Sequence, residues 1–246
     1  MSETKFGPEF FDDPDISEAY LSSRHRSDGP NETLEKPVFL KLLGNVNGQR
    51  ILDLGCGDGI FALALFEAGC SSYLGVDASE KMVQVAKKVL KDQPAEIVHS
   101  KIESWDYPAN QFDIVISRLV LHYIEDIDAV FRKTYKVLNK NGRFVFSMVH
   151  PVITSCDKSR QPGSQRKDWI VDNYFSNGLR KVILGDNYVY QYHRTIEDLF
   201  IGLQQAGFQI ESLRESKPLR EYFENEDLFI RRSRIPLFLF FSAIKQ

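Results

Sequence analysis

The stretch Ile51-Leu-Asp-Leu-Gly-Cys-Gly-Asp-Gly59 constrains this chain more than any other part of it. A short apolar run enters glycines at 55, 57 and 59, and the helix-forming run Ile60-Phe-Ala-Leu-Ala-Leu-Phe-Glu67 follows at once. Glycines let the backbone turn tightly and approach a ligand with no Cβ in between. Strand, glycine turn and helix in that order open a parallel α/β unit, whose ligand sits outside the carboxyl ends of the strands. Two details narrow the ligand. The spacing is GxGxG, with Ile60 where a dinucleotide-binding GxGxxG has its third glycine. Asp53, on the last turn of the strand, would repel a pyrophosphate and suits a cationic or ammonium-bearing ligand. Asp77 closes the next apolar run, where a carboxylate is placed to accept hydrogen bonds from two ribose hydroxyls.

The same grammar continues along the chain. Strands are predicted over 50–54, 73–76, 95–99, 112–117 and 143–149. Helices are predicted over 59–68, 79–90 with Ser79 as N-cap, and 126–138, the last stopping at Asn141-Gly142. Such alternation implies parallel pairing through right-handed crossovers, a doubly wound α/β fold. Residues 1–32 are polar and broken by glycine and proline, an arm with one short helix. Residues 33–43 have helical apolar spacing. After His150-Pro151 the alternation lapses through an aromatic-rich segment. It resumes with a helix from Thr195 to Gly207 and two further strands. The expected organisation is an arm over the ligand (1–32), a core (33–150), a cap-like insertion after the fifth strand (151–194), and a C-terminal helix with the last two strands (195–246). A segment as long as 151–194 reads as a lid over a site.

Composition removes several function classes. With 31 basic against 34 acidic residues and net charge −3, no broad basic field exists to hold a phosphate backbone. No nucleic-acid partner is therefore expected. Three widely spaced cysteines without a CxxC suit neither a disulfide framework nor a zinc site, and point to a reducing cytoplasm. The longest apolar-rich run, 235–244, is too short to span a bilayer, and the N-terminus lacks an apolar signal core. Neither metal nor membrane is expected.

The loop at 51–59, Gly75-Val-Asp77 with Ser79-Glu-Lys-Met82, Gln111-Phe-Asp-Ile-Val-Ile-Ser117 and the run 138–146 resemble the successive motifs of class I S-adenosylmethionine-dependent methyltransferases. More narrowly they resemble the "methyltransferase 11" group that acts on small molecules. The likeness spans roughly 33–150. It implies a Rossmann-like seven-stranded sheet with helices on both faces and a reversed final hairpin, with the tail from Ile235 as one of its strands. It implies S-adenosyl-L-methionine as cofactor, released as S-adenosyl-L-homocysteine. By position, Gly55 and Gly57 lie along the methionine part, and Asp53 orders the loop and the ammonium. Asp77 holds the ribose, with Ala78 and Met82 continuing that wall, Met82 chiefly as packing. Ile102 faces adenine through its backbone N–H, with Glu103 beside it. Lys101 stands where many relatives carry an acidic residue. Ser117 or Leu119 contacts the methionine moiety. In one branch of the group an arginine of the arm pairs with the cofactor carboxylate; Arg24 matches it, with Tyr20 nearby.

Methyl transfer from a sulfonium is an in-line displacement that yields a neutral leaving group. The protein supplies alignment, on the order of 7–11 kcal/mol, more than charge stabilisation. An oxygen or nitrogen nucleophile can also use a base, usually histidine. Of five histidines, His25 and His99 read as structural. His122 and His150 follow the fourth and fifth strands and are the catalytic candidates, each equally readable as a hydrogen-bonded structural group. The segments His150-Pro-Val-Ile-Thr154, Tyr174-Phe-x-x-Gly-x-Arg180 and Tyr192-His-Arg-Thr195 resemble that same branch, mostly of unassigned substrate. Tyr174, Arg180, Tyr192, His193 and Arg194 are thus acceptor-side candidates, with His193 and Arg194 as readily anchoring the insertion. No Asn-Pro-Pro-Tyr-like motif follows Ser117, and no Pro-Cys nucleophile is present, which favours a small acceptor. Two alternatives stay open: a quinone-type C-methyltransferase, and a cofactor-binding regulatory protein without turnover. A monomer or homodimer is expected.

Overall fold

A computed structural model describes residues 4–159 and 168–246. The arm holds two helices where the sequence predicts one: α1 (Gly7–Asp12) and α2 (Pro14–Arg24). A π-helical turn, Asn31–Glu35, runs directly into α3 (Lys36–Leu43). The alternating part follows as β1 (Arg50–Leu54), α4 (Ile60–Glu67), β2 (Ser72–Asp77), α5 (Glu80–Val89), β3 (Ala95–His99), β4 (Phe112–Arg118), α6 (Ile127–Val137) and β5 (Leu138–Val149). Caps fall where the chemistry requires them. The Ser79 side chain accepts from the Met82 N–H at the start of α5, and Asp126 accepts from Ala129 at the start of α6.

Seven strands form one sheet in the order β3-β2-β1-β4-β5-β9-β8, where β8 is Gln209–Glu215 and β9 is Phe238–Ile244. The first five are parallel; β9 runs antiparallel to both β5 and β8. The chain leaves β1 toward β2 and β3 and returns to β4 on its other side, so the switch in strand order lies between β1 and β4. Side chains alternate across the sheet. Leu52, Val115, Phe146 and Phe241 pack on one face with Phe131 of α6 and Leu199 and Leu203 of α8 (Ile196–Gln205). Their neighbours Ile51, Ile114, Val145 and Phe240 pack on the other face with Phe39, Ala62 and Ala86 of α3, α4 and α5. Helices cover both faces, as a doubly wound sheet requires.

One boundary differs from its prediction. Helix α6 ends at Val137, and Asn141-Gly142 lies inside β5 instead of stopping a helix. Leu138 already pairs with Phe112. Asn141 donates its N–H to the Lys245 carbonyl at 2.7 Å, and Lys245 returns one to Gly142 at 2.9 Å. The chain's last residues thus recruit the Asn-Gly pair into the sheet, a partner about 100 residues away that no local pattern reveals.

The insertion comprises α7 (Pro151–Thr154) and an antiparallel hairpin of β6 (Gly178–Leu184) and β7 (Asn187–His193). Residues 160–167 of the expected cap, and 1–3 of the expected arm, lie outside the described residues. A further helix, α9 (Glu226–Arg232), stands between β8 and β9. The hairpin and the arm make one roof: the Tyr190 N–H donates to the Lys5 carbonyl at 3.0 Å. Phe10 of α1 packs with Val182 and Val189 in a small core of their own. Among the described residues no helix is long and apolar enough to cross a membrane.

Candidate functional site

The glycine loop leaves β1 with Gly55 at φ +83° and Gly57 at φ +58°, conformations that side chains rarely adopt. Space is equally restrictive. A Cβ on Gly55 would lie 2.3 Å from Val120 Cγ2, and one on Gly57 would lie 2.6 Å from a guanidinium nitrogen of Arg24. The end of β2 holds the loop. Gly55 and Cys56 donate their N–H groups to the Val76 carbonyl at 2.7 and 3.2 Å. The Asp77 carboxylate accepts from the Gly57 N–H at 2.8 Å with one oxygen and from the Ser79 N–H at 2.9 Å with the other. Burial lifts the Asp77 pKa, and those two N–H groups oppose the lift. Each oxygen keeps a second lone pair for a ligand.

A cleft of about 500 Å³ opens here, at the carboxyl ends of β1, β2 and β4. Gly55, Gly57, Asp77, Ala78 and Met82 line one side of it. Ile102, Glu103, Leu119, Tyr20 and Arg24 line it as well, so ten of the twelve expected cofactor residues meet at one place. The Tyr107 hydroxyl donates to the Ile102 carbonyl at 2.8 Å and fixes that backbone. Leu119 has φ +58°, a strained backbone for a branched residue, and its N–H is held by the Ser147 carbonyl at 2.9 Å. Burial works against the charge of Arg24. Tyr20, Asp58, Asp77 and Glu35 outweigh it and hold the pKa above the ordinary value.

Asp53 and Ser117 lie beneath the cleft floor instead of on it. The Ser117 hydroxyl donates to the Leu54 carbonyl at 2.8 Å and ties β4 to β1. The Tyr73 hydroxyl donates to Asp53 Oδ2 at 2.7 Å, while Oδ1 has no partner among the described residues. Burial pushes the Asp53 pKa up to about 6, with the Tyr73 hydrogen bond resisting.

The arm is fastened over this cleft at two points. Ser79 donates its hydroxyl to Asp12 Oδ1 at 2.6 Å, joining α1 to the start of α5. His25 Nε2 meets Asp58 Oδ2 at 2.6 Å, joining the end of α2 to the glycine loop. Sequence reasoning did not find Arg118, which lines the cleft and forms an ion pair with fully buried Glu35. Its Nε donates to Glu35 Oε1 at 3.1 Å, and the Ser147 hydroxyl donates to the same oxygen at 2.7 Å. The guanidinium sits 3.8 Å from the Phe61 ring centre. Partners 83 residues apart leave no local signal of their pairing.

The acceptor-side candidates separate. Tyr192 lines the cleft; Tyr174, Arg180, His193 and Arg194 do not. His193 is buried, with Nδ1 at 2.7 Å from the Thr154 hydroxyl and Nε2 at 2.8 Å from the Tyr174 carbonyl. Burial lowers its pKa. Arg194 donates to the carbonyls of Ile124, at 2.8 Å, and Glu125. Arg180 donates to the carbonyls of Ser155, at 3.4 Å, and Ser176. The Tyr174 hydroxyl accepts the Ile196 N–H at 3.3 Å. Tyr174 and Arg194 thus hold the insertion to the core, while His193 and Arg180 bind within the insertion.

The two expected catalytic histidines also part company. His150 lines no cavity described here: its Nδ1 accepts the Val152 N–H at 3.2 Å to cap α7, and its Nε2 faces Glu215 Oε1 at 3.0 Å. Pro151 starts a helical turn directly after β5, and that turn claims the ring as its cap. His122 sits in a 3-10 turn, Leu121–Tyr123, with Nδ1 3.4 Å from the Val149 N–H. Burial pulls its pKa down to about 3, so the ring is neutral at neutral pH. It lines a second cavity of about 360 Å³ that shares Tyr20, Asn31, Leu119 and Tyr123 with the cleft.

Comparison with known proteins bears on this arrangement. A family model described as "Methyltransferase domain" matches residues 52–146. An uncharacterized protein of Haemophilus influenzae is 32% identical over 216 residues, covering 83% of this chain and 85% of that one. The crystal structure of an S-adenosylmethionine dependent methyltransferase from Mesorhizobium loti is 32% identical. It superposes with a TM-score of 0.79 over 88% of this chain and all (100%) of that one. The [4+2]-cyclase SpnF, at 15% identity and TM-score 0.66, covers 99% of both chains and shares the fold alone.

Proposed function

The chain belongs to the S-adenosylmethionine-dependent methyltransferases, and from that premise we propose that it transfers a methyl group to a small-molecule acceptor. The observation that carries the cofactor half is the pairing of Asp77 and Arg24 across the glycine loop. Asp77 offers acceptor lone pairs for ribose hydroxyls from a carboxylate already locked by Gly57 and Ser79. Arg24 offers a guanidinium over Gly57 for a carboxylate. The residues present fit a ligand with hydroxyls at one end and an amino-acid head at the other. When bound, S-adenosylmethionine supplies an activated methyl: its C–S bond breaks as the bond to the acceptor forms, and the electron pair stays on a sulfur that becomes neutral.

The protein's part is alignment and exclusion of water. Leu119, held in its strained conformation by Ser147, forms the wall shared by the cleft and the second cavity, where the two reactants would meet. Tyr20 and Tyr123 are shared by both and flank that boundary. The roof of arm and hairpin supports a small acceptor over a macromolecular one. A neutral His122 with its pKa near 3 supports a hydrogen-bonding wall and not a general base. Free, buried Cys56, Cys70 and Cys156 suit the reducing cytoplasm in which we place the enzyme.

The test is release of S-adenosylhomocysteine when the purified chain is incubated with S-adenosylmethionine and fractionated cell metabolites. Turnover with at least one small-molecule fraction is expected. Tight cofactor binding with no product from any fraction would leave a binding protein without turnover, and the enzyme reading would fall.

A further inference from the structure

The second cavity carries information about the acceptor that the cofactor cleft does not. Val149, Ile153, Leu184 and Phe238 give it apolar walls. Its polar lining is lopsided. Six buried side-chain nitrogen or oxygen atoms have no hydrogen-bond partner among the described residues, and three of them belong to residues of this one cavity. These are Trp169 Nε1, Arg231 Nε and Arg232 Nε, and all three are donors.

Arginines in the last turn of a helix usually extend into water beside the free carbonyls. Arg231 and Arg232 end α9, yet their Nε atoms are buried, and among the described residues neither guanidinium has a carboxylate partner. Arg24 makes the contrast: three carboxylates raise its pKa. Burial, with Arg231 beside it, instead drags the Arg232 pKa down to about 10. The cavity does contain one carboxylate, Asp157, which accepts the Ile183 N–H at 3.2 Å. Trp169 is positioned by Arg234, whose guanidinium lies 4.8 Å from its ring centre and 3.6 Å from Asp168. Two guanidinium groups and an indole N–H share this cavity with one carboxylate, and a bound anion would satisfy the imbalance.

We propose that the second cavity is the acceptor pocket, and that it takes a small molecule with an apolar body and one anionic handle, a carboxylate or a phosphate, read by Arg231, Arg232 and the Trp169 indole N–H. This assignment rests on the methyltransferase reading and specifies its substrate class. The walls shared with the cleft, Leu119, Tyr20 and Tyr123, put such a molecule next to the methionine end of the cofactor. The anion serves as an anchor at the far side, so the methylated atom is elsewhere on the acceptor.

Calorimetry on the full chain saturated with S-adenosylhomocysteine tests this with three probes: 3-phenylpropanoate, phenyl phosphate and neutral 3-phenylpropanamide. At least one anion is expected to bind tenfold or more tightly than the amide, and the stronger of the two identifies the handle. The double substitution Arg231→Gln, Arg232→Gln should erase that preference while cofactor affinity stays within twofold. Should that variant not fold, Trp169→Phe keeps an aromatic side chain, removes the N–H donor with the pyrrole ring, and should weaken the preferred anion at least threefold while the neutral amide changes by less than twofold. An amide that binds as well as both anions, or a preference that survives these substitutions, overturns the assignment alone. A wild-type chain that binds no S-adenosylhomocysteine overturns it together with the methyltransferase reading.

Discussion

Replacing Asp77 by asparagine puts the cofactor end of the site to its hardest test. The carboxylate accepts from Gly57 with one oxygen and from Ser79 with the other. Asparagine keeps one carbonyl oxygen, so its amide NH₂ must face one of those N–H groups, donor against donor. A hydrogen bond to a charged acceptor is worth about 1.5–3 kcal/mol. The loop bond is lost in free and bound protein alike and so bears on stability, whereas the acceptor lost for a ribose hydroxyl bears on affinity, by about 1.5–3 kcal/mol, or roughly 10- to 100-fold in Kd. Stability should move little, because burial raises the Asp77 pKa and a neutral amide escapes the penalty on the buried charge. Weakened binding therefore would not be a symptom of unfolding. Calorimetry with S-adenosylhomocysteine and with its 2′-deoxy analogue separates the two effects. Wild type should lose affinity when the hydroxyl is removed, and Asp77→Asn should lose clearly less, a coupling of about 1 kcal/mol or more. Binding within threefold of wild type, or an equal penalty for the missing hydroxyl in both proteins, would refute the ribose assignment.

Three further outcomes follow from buried charge. Asp53 titrates near 6 in the fold and near 3.8 when unfolded, so stability falls as pH rises from about 4 to about 6 and stays low above that. Asp53→Asn should flatten this slope and raise unfolding free energy at pH 7.5 by up to about 3 kcal/mol in urea titrations; no gain at that pH would contradict the assignment. His122 has the opposite sign: with its pKa lowered to about 3, the stability of the neutral ring is full above 6.5 and drains away as pH falls toward 3. His122→Asn, whose side-chain oxygen can accept the Val149 N–H, should therefore shift the acid-unfolding midpoint downward, and an unchanged midpoint would count against it. Glu35→Gln leaves the Arg118 guanidinium without its counter-ion and should destabilise the fold by about 3–5 kcal/mol; a loss below 1 kcal/mol in denaturant titration would show that the pair does not hold α3 to the sheet.

How much of this was legible beforehand depended on the range of the interaction. The strands at 50–54 and 95–99 fall where predicted: central β1 is buried from Ile51 to Leu54 and reads as a nearly continuous apolar run, whereas β3, at the sheet edge, buries only Ile97 and was legible from the short Ile97-Val98 pair. Ser79 announced its helix because a cap acts within three residues, and Asp126, the first residue of the next predicted helix, caps it in the same way. The Asn-Gly pair misled because the same dipeptide stops a helix or kinks a strand, and its pairing with Lys245 decided between them. His150 misled for a similar reason. Its place after a strand was legible, but the turn begun by Pro151 and the approach of Glu215 set the direction of its ring.

The glycine loop, with Asp53 inside β1 and Asp77 at the end of β2, made the α/β fold class legible, and the resemblance of the successive motifs to class I methyltransferases implied the cofactor. Backbone conformation and strand-end chemistry are local properties, and sequence spacing records them directly. Tertiary structure alone decided which residues share a cavity. Asp53 sank beneath the floor, Arg118 turned to Glu35, and Tyr174 and Arg194 became anchors of the roof. Arg231 and Arg232, at the end of α9, came to line the same cavity as Tyr20 and Leu119. The physical reason is that an acceptor pocket is built from side chains far apart in sequence, whose unmet charges become visible only once packing has excluded water from them.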